Sequence, residues 1–413
     1  MILIYRLCLL HGLAPTPARW AAAAFALSHW IWHTSSYLHP DGFLVPCWLA
    51  VLLIAHRCTT SNKARHYALM GTAAGLSVLC KYSGAFLVGG LVLWIVLSHQ
   101  QRERWQHLTI FLLPVCIVAS PLIYTQLQSG FYLPQTLSTL SRIEGIGDPL
   151  SRLLFFTLNP VLFASPLLLY LLYRGLAYAA KQRELLALMP ALCTIGAFLF
   201  FALYRGQIKG NWILPGFLSL WPLAFSGSPR RWLLTAALAT GLIQTATIGI
   251  GLKYPALFRA LTEHSGLDQS YIGLVSSPDR EREPSFAWSE RLCEYRGWRN
   301  FAAKLEKSVH AQAIDPQLPL LSTQYSLPFA LAYYGSTNRN YFTVDDPRFR
   351  DLTDFHVQSE PNDRETVLFV VRTGSAPPVS LLSIYPQRKL ITEIARESDG
   401  CAPMHYRVIL LER

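Results

Sequence analysis

The sequence predicts a polytopic α-helical membrane protein, with about 9–10 transmembrane or re-entrant helices, that carries a carboxy-terminal extracytoplasmic α/β domain. Three observations support this fold class. Across 413 residues, 52% are hydrophobic and only 15% charged, where a soluble domain carries about 25% charged residues. The charge also divides sharply: up to Leu252 there are 17 Lys/Arg against 5 Asp/Glu, and from Lys253 onward 19 against 20. Finally, the basic residues of the first part fall into short gaps between apolar runs rather than onto one exposed face. That pattern excludes nucleic-acid binding as the reason for the net charge of +11.

The apolar segments run over 1–13, 20–38, 43–56, 66–80, 83–98, 108–126, 152–173, 185–204, 211–226 and 232–252. Several are shorter than the roughly 20 residues a full span needs, so tilted, re-entrant or paired half-helices are expected among them. Basic residues occupy every second gap: Arg19, then Arg57/Lys63/Arg65, Arg102/Arg104, Arg174/Lys181/Arg183 and Arg230/Arg231. The positive-inside rule assigns these gaps to the cytoplasmic side. The other gaps then face outward and hold Asp41, the Lys81-Tyr82 pair, the loop "QLQSGFYLPQTLSTLSRIEGIGDPLS" and "YRGQIKGN". The same alternation starts the chain on the outer side with Met1 opening directly on an apolar run, so at least one further helix is expected upstream.

Residues 1–252 are thus expected to form the membrane region, 253–289 a linker and 290–413 the outer domain. Within that domain "GWRNFAAKLEKSVHA" has helical spacing, and "YSLPFALAYYG" reads as a helix ended by Gly335. "LPLLST", "NYFTVDD", "TVLFVVR" and "YRVILLER" read as strands. Strands alternating with helices predict a small sheet with helices packed on it. Six of the eight cysteines lie in or beside apolar segments and none makes a metal-ligand spacing. Cys293 and Cys401 stand alone in the outer domain, and can pair if that domain lies in an oxidising compartment.

With sides assigned, the outward charges are the candidates for chemistry. Lys81, Arg205 and Lys209 are cations on the side where cations are disfavoured, each close to a helix end. Such groups suit a lipid-linked phosphate, which Lys and Arg bind by charge and hydrogen bond; snorkelling to the headgroups is the plainer explanation. Lys81 and Lys209 carry more weight because Tyr82 and Trp212 lie beside them at interface depth. The outward carboxylates are Asp41, Glu144 and Asp148. Asp41 sits where a helix begins and serves as a cap on local grounds alone. A carboxylate near a lipid phosphate can also orient an acceptor, act as general base or hold a divalent metal, the one cofactor left open. Arg142, Glu144 and Asp148 share a Gly-containing loop suited to an acceptor. His29 and His33 in "HWIWH" have one-turn spacing but no third metal ligand.

Taken together these stretches resemble the GT-C superfamily of polyprenyl-phosphate-sugar-dependent glycosyltransferases. The likeness is to the bacterial branch related to protein mannosyltransferases and aminoarabinose transferases. "SSYLHPDGFLVPCWLAVLLIAHR", "ALMGTAAGLSVLCKYSGAFLVGG", "SPLIYTQLQSGF" with "PVLFASPLLLYLL", and "KGNWILPGFLSL" carry it in order, and "GWRNFAAKLEK" with "YSLPFALAYYG" extends it into the tail. The resemblance implies an inverting transfer outside the bacterial cytoplasmic membrane. It implies a sugar on a polyprenyl phosphate as donor and a lipid, glycan or protein as acceptor. Asp41 matches the family's second acidic site residue, Lys81 the position of a basic residue that meets the carrier phosphate, and Lys209, Asn211 and Trp212 a later basic-aromatic segment. The family's first acidic motif, usually assigned the catalytic base, has no counterpart here and is expected upstream of Met1, which leaves the competence of this stretch alone open. Two other readings use the same cations: a transporter or flippase of lipid-linked sugars, and a non-catalytic scaffold. Neither the internal repeats nor the continuous polar lining of a transporter is visible.

Overall fold

The structure is a computed structural model. It describes residues 1–36, 40–128, 149–205, 210–226, 229–265, 293, 296–323, 326–335, 339–343 and 365–413. Two compact units emerge, one from Met1–Gln128 with Glu144–Ile248, the other including Gly249–Arg413.

The first unit is helical. In chain order it contains α1 (Ile2–Leu10), α2 (Pro15–Leu27), α3 (His29–Ser36), α4 (Pro40–Ser61), α5 (Ala64–Cys80), α6 (Gly84–Ser98), α7 (Gln101–Gln128), α8 (Pro149–Leu158), α9 (Pro166–Gln182), α10 (Leu185–Arg205) and all but the last turn of α11 (Arg231–Lys253). Four stretches are long and apolar enough to cross a membrane: Pro40–Ser61, Glu103–Gln128, Leu185–Tyr204 and Arg231–Lys253. Arg152–Val161 with Pro166–Gln182 makes a fifth if that bent pair is one span. At about 1.5 Å per residue the 22 residues of α4 reach about 33 Å, enough for a hydrocarbon core of about 30 Å. Leu113 and Ile117 of α7, Phe200 of α10 and Ile243 of α11 are exposed, as side chains facing lipid are. Prolines inside α4, α7 and α10 are tolerated because neighbouring helices shelter the freed carbonyls.

Small residues set the helix spacing, since backbones approach closely only where no side chain intervenes. A Cβ on Gly71 of α5 would run into the Phe111 carbonyl of α7, and one on Gly90 of α6 into the backbone of Pro190 in α10. One apolar stretch differs from expectation: residues 210–225 form no continuous helix. They make a 3₁₀ turn at Gly210–Trp212 and short helical turns at Leu214–Phe217 and Trp221–Ala224. Pro215, Gly216 and Pro222 break the helical hydrogen bonding. Every residue of the stretch is buried except the half-buried Trp212, and Trp221 Nε1 donates to the Ala21 carbonyl of α2 at 3.0 Å. It is core, inside a cage of helices.

The gaps sort by end. At the basic end the buried Tyr67 of α5 donates to Asn62 at 3.1 Å, lies 2.8 Å from His99 Nε2, and stacks on His107 of α7 with ring centroids 4.1 Å apart. At the other end Lys81 meets Asp41, Gln126 Nε2 donates to the Tyr82 hydroxyl at 3.2 Å, and Arg152 donates to the Leu203 carbonyl at 2.8 Å. Gaps alternate in sequence, and these contacts gather the sparsely charged ones at a common end.

The second unit contains α12 (Pro255–Ser265), at the start of the stretch expected to be a linker, then α13 (Trp298–Ala311), β1 (Leu320–Ser322), α14 (Ser326–Tyr334), β2 (Tyr341–Thr343), β3 (Thr366–Arg372), α15 (Val379–Ile384), β4 (Gln387–Arg396) and β5 (Met404–Glu412). The strands order as β2-β1-β3-β5-β4, parallel from β2 through β3 and antiparallel beyond. Side chains alternate across β3: Leu368 and Val370 pack with Phe301 and Leu305 of α13, whereas Val367, Phe369 and Val371 pack with Leu381 and Tyr385 on the other face. Residues 387–396 were not expected as a strand. Cys293 and Cys401 are disulfide-bonded, with Cα atoms 5.9 Å apart across 108 residues. Lys304 of α13 meets Glu397 at 2.6 Å, and this hydrogen bond, then the ammonium charge itself, lowers the Glu397 carboxyl below its ordinary value.

Candidate functional site

Three side chains from separate parts of the first unit meet the carboxylate of a fourth, Asp41. Asp41 lies in the first turn of α4, where Pro40 opens the helix and an acid is favoured by the exposed N–H groups. It is 0% exposed. Lys81 follows α5 as its C-terminal cap, in extended backbone with its N–H bonded to the Ser77 carbonyl, and a cation belongs at a helix carboxyl end for the same reason with opposite sign. The two antiparallel helix ends therefore present complementary charges to each other, and Lys81 Nζ lies 2.5 Å from Asp41 Oδ1.

The second oxygen is held separately. Asn211 Nδ2 donates to Asp41 Oδ2 at 3.2 Å, and Trp30 Nε1 of α3 points at the same atom from 3.5 Å. Asn211 is placed by the 3₁₀ turn, whose Gly210 approaches Asn159 and Pro160 so closely that a Cβ there would meet the Asn159 carbonyl at 2.5 Å. Trp30 is fixed by its backbone N–H, which donates to the Phe163 carbonyl at 2.8 Å. Trp212 packs on Phe198, ring centroids 5.8 Å apart.

A buried carboxylate is tolerable only when paired and hydrogen-bonded, and here both oxygens are engaged. Being 0% exposed behind these partners, Asp41 is poorly placed to meet an incoming hydroxyl. Lys81 has capacity left: an ammonium has three N–H donors, Asp41 takes one, and its side chain is 20% exposed. Asp41 holds the cation in place, and an ammonium held in this way can donate its other N–H groups to an anion.

The structure brings together Asp41, Lys81 and Asn211 from 170 residues of chain. Tyr82, beside them, is 40% exposed and tied to Gln126. Lys209 and the loop residues Arg142, Glu144 and Asp148 lie outside the described residues, as does the side chain of Arg205. Trp30 is a residue that sequence reasoning misses: in "HWIWH" the histidines carry the one-turn spacing, and His29 packs between Trp32 and Phe163. An indole N–H at an apolar helix start is the signal that identifies Trp30, since a buried indole seeks an acceptor. Among the described residues no group of three or more His, Cys, Asp or Glu could hold a metal ion.

Residues 1–124 match the family model described as dolichyl-phosphate-mannose-protein mannosyltransferase. No curated protein and no solved structure matches the chain. The matched stretch includes Trp30, Asp41 and Lys81, three of the four side chains just described.

Proposed function

We propose that this chain, whose family match supports membership of the GT-C superfamily of membrane glycosyltransferases, moves a sugar from a polyprenyl-phosphate donor to a lipid, glycan or protein acceptor on the extracytoplasmic side. The observation that carries this reading is the buried Asp41–Lys81 pair, with ammonium donors still available at the end of the unit away from the basic gaps. In an inverting transfer the acceptor oxygen bonds to the anomeric carbon as its bond to the phosphate oxygen breaks. Negative charge gathers on the departing lipid phosphate, and a fixed cation lowers the barrier most when it is already in place. Lys81, oriented by Asp41, fills that role, with Asn211 and Trp30 as positioning residues for the carboxylate. The proton of the acceptor goes to another base, because Asp41 is buried behind its partners.

Orientation draws support from two sides. Arginines and lysines alternate into the gaps at the opposite end from Asp41. The Cys293–Cys401 disulfide belongs with an oxidising compartment for the second unit.

The test is binding and transfer of a labelled polyprenyl-phosphate sugar by the full chain in lipid nanodiscs. Lys81→Met should weaken donor binding about tenfold, the loss of one charged hydrogen bond of about 1.5 kcal/mol, with Lys81→Arg partly restoring it. Asp41→Asn should lower transfer more than binding, because it leaves a cation that is present but misplaced. Donor affinity and transfer unchanged in both Lys81→Met and Asp41→Asn would sink the assignment.

A further inference from the structure

We infer that α12 is an interfacial helix, lying with one row of apolar side chains in the headgroup–acyl boundary of the membrane that α11 crosses. Only Tyr254 separates the two helices. Ile250 at the end of α11, then Tyr254, Leu257 and Leu261, are exposed by 47%, 54%, 52% and 56%. Their spacing of four, three and four residues keeps them on one side of the chain. All four belong to the second unit, and they form one exposed apolar row from the last residues of α11 into α12.

The rest of α12 is committed elsewhere. Pro255 and Phe258 are buried, and Ala256 packs so closely on the turn at Gly400 that a Cβ there would lie 2.7 Å from the Ala256 nitrogen. Gly400 adjoins the disulfide at Cys401, so this inner face of α12 belongs to the fold of the second unit. Length decides how the outer face is used. Eleven residues reach about 16 Å, half of what a crossing requires, so the helix rests on the membrane rather than entering it. Lys253 lies over the Tyr254 ring at 5.3 Å from its centroid, and a cation with an aromatic ring at the end of a span is the usual marker of interface depth. A short amphipathic helix beginning one residue beyond a span has the lipid surface as its nearest apolar phase.

The test uses the full chain in phosphatidylcholine–phosphatidylglycerol vesicles, with the six unpaired cysteines replaced by alanine. An environment-sensitive fluorophore is attached at Leu257→Cys, Leu261→Cys or, as an aqueous control, the exposed Lys307→Cys. Survival of the Cys293–Cys401 disulfide, read by mass spectrometry, confirms that each variant folds. Labels at 257 and 261 should emit to the blue of the label at 307, be quenched by lipids with a shallow nitroxide, and resist aqueous iodide. Iodide quenching equal to that at 307 would overturn the inference. So would a blue shift without nitroxide quenching that fades as the protein is diluted into excess lipid, since that assigns the row to a second copy of the chain.

Discussion

Asp41 and Lys81 hold each other at some cost, and the arithmetic of that pair is measurable. Removing one partner of a buried ion pair leaves the other charge unpaired at about 3–5 kcal/mol. Lys81 can still reach water, so the asymmetry should run one way: Lys81→Met strands a carboxylate with no exposure, whereas Asp41→Asn frees an ammonium that is partly solvated. Lys81→Met is expected to destabilise the chain by about 3 kcal/mol, Asp41→Asn by less, and the double variant by less than their sum, with a coupling of about 2 kcal/mol. Thermal unfolding in detergent, run as a double-mutant cycle, measures all three. Additive effects would mean that the two charges do not sense each other. Asp41 and Lys81 are both visible in the sequence as lone charges beside helix ends on a common side of the membrane. Their pairing is not, because no periodic pattern links positions forty residues apart on different helices. Trp30 escaped notice for a related reason: its N–H finds a partner only in three dimensions.

At the scale of the helices, hydropathy locates the apolar segments well and says little about how they pack. Gly71 and Gly89 look alike in the sequence, each a glycine in an apolar helix. In the fold, a Cβ at 71 collides with the Phe111 backbone while one at 89 meets nothing within 4 Å. Gly71→Leu should therefore part α5 from α7 and cost about 3 kcal/mol or more by overpacking, with Gly89→Leu close to neutral. Unfolding temperatures of the two variants check this, and equal losses would contradict the packing described. The same limit explains residues 210–225. Their apolar run resembles a membrane span by composition, yet prolines and glycine break it into turns buried on nearly every side, and only the surrounding helices determine that. In the sheet, β3 was legible as a short apolar run because both its faces are covered. "QRKLITEIAR" was not, because β4 is an edge strand with charged, exposed residues along its first half, a composition that deters further pairing.

For the whole molecule, the disulfide sets the most direct expectation. Closing about 100 residues by a crosslink removes about 4.7 kcal/mol of chain entropy from the unfolded state on a loop-closure estimate. Cys293→Ser and Cys401→Ser should each lower the stability of the second unit by about 4 kcal/mol, and the double variant by no more than either alone. Urea unfolding followed by the near-ultraviolet signal of Trp298, which lies under Arg396 at 4.2 Å, reports this; additive losses would show that the thiols act separately. The strand order has a consequence for synthesis. β5 sits between β3 and β4 although it is translated after both. A ribosome that has already made the two outer partners has therefore not yet supplied the strand that joins them. Until residues 404–412 emerge, β4 has no neighbour on the sheet, and the unit waits with its hydrophobic face open. Assembly of this sheet is necessarily a late event in synthesis, because the strand that joins its two halves is the last to be made.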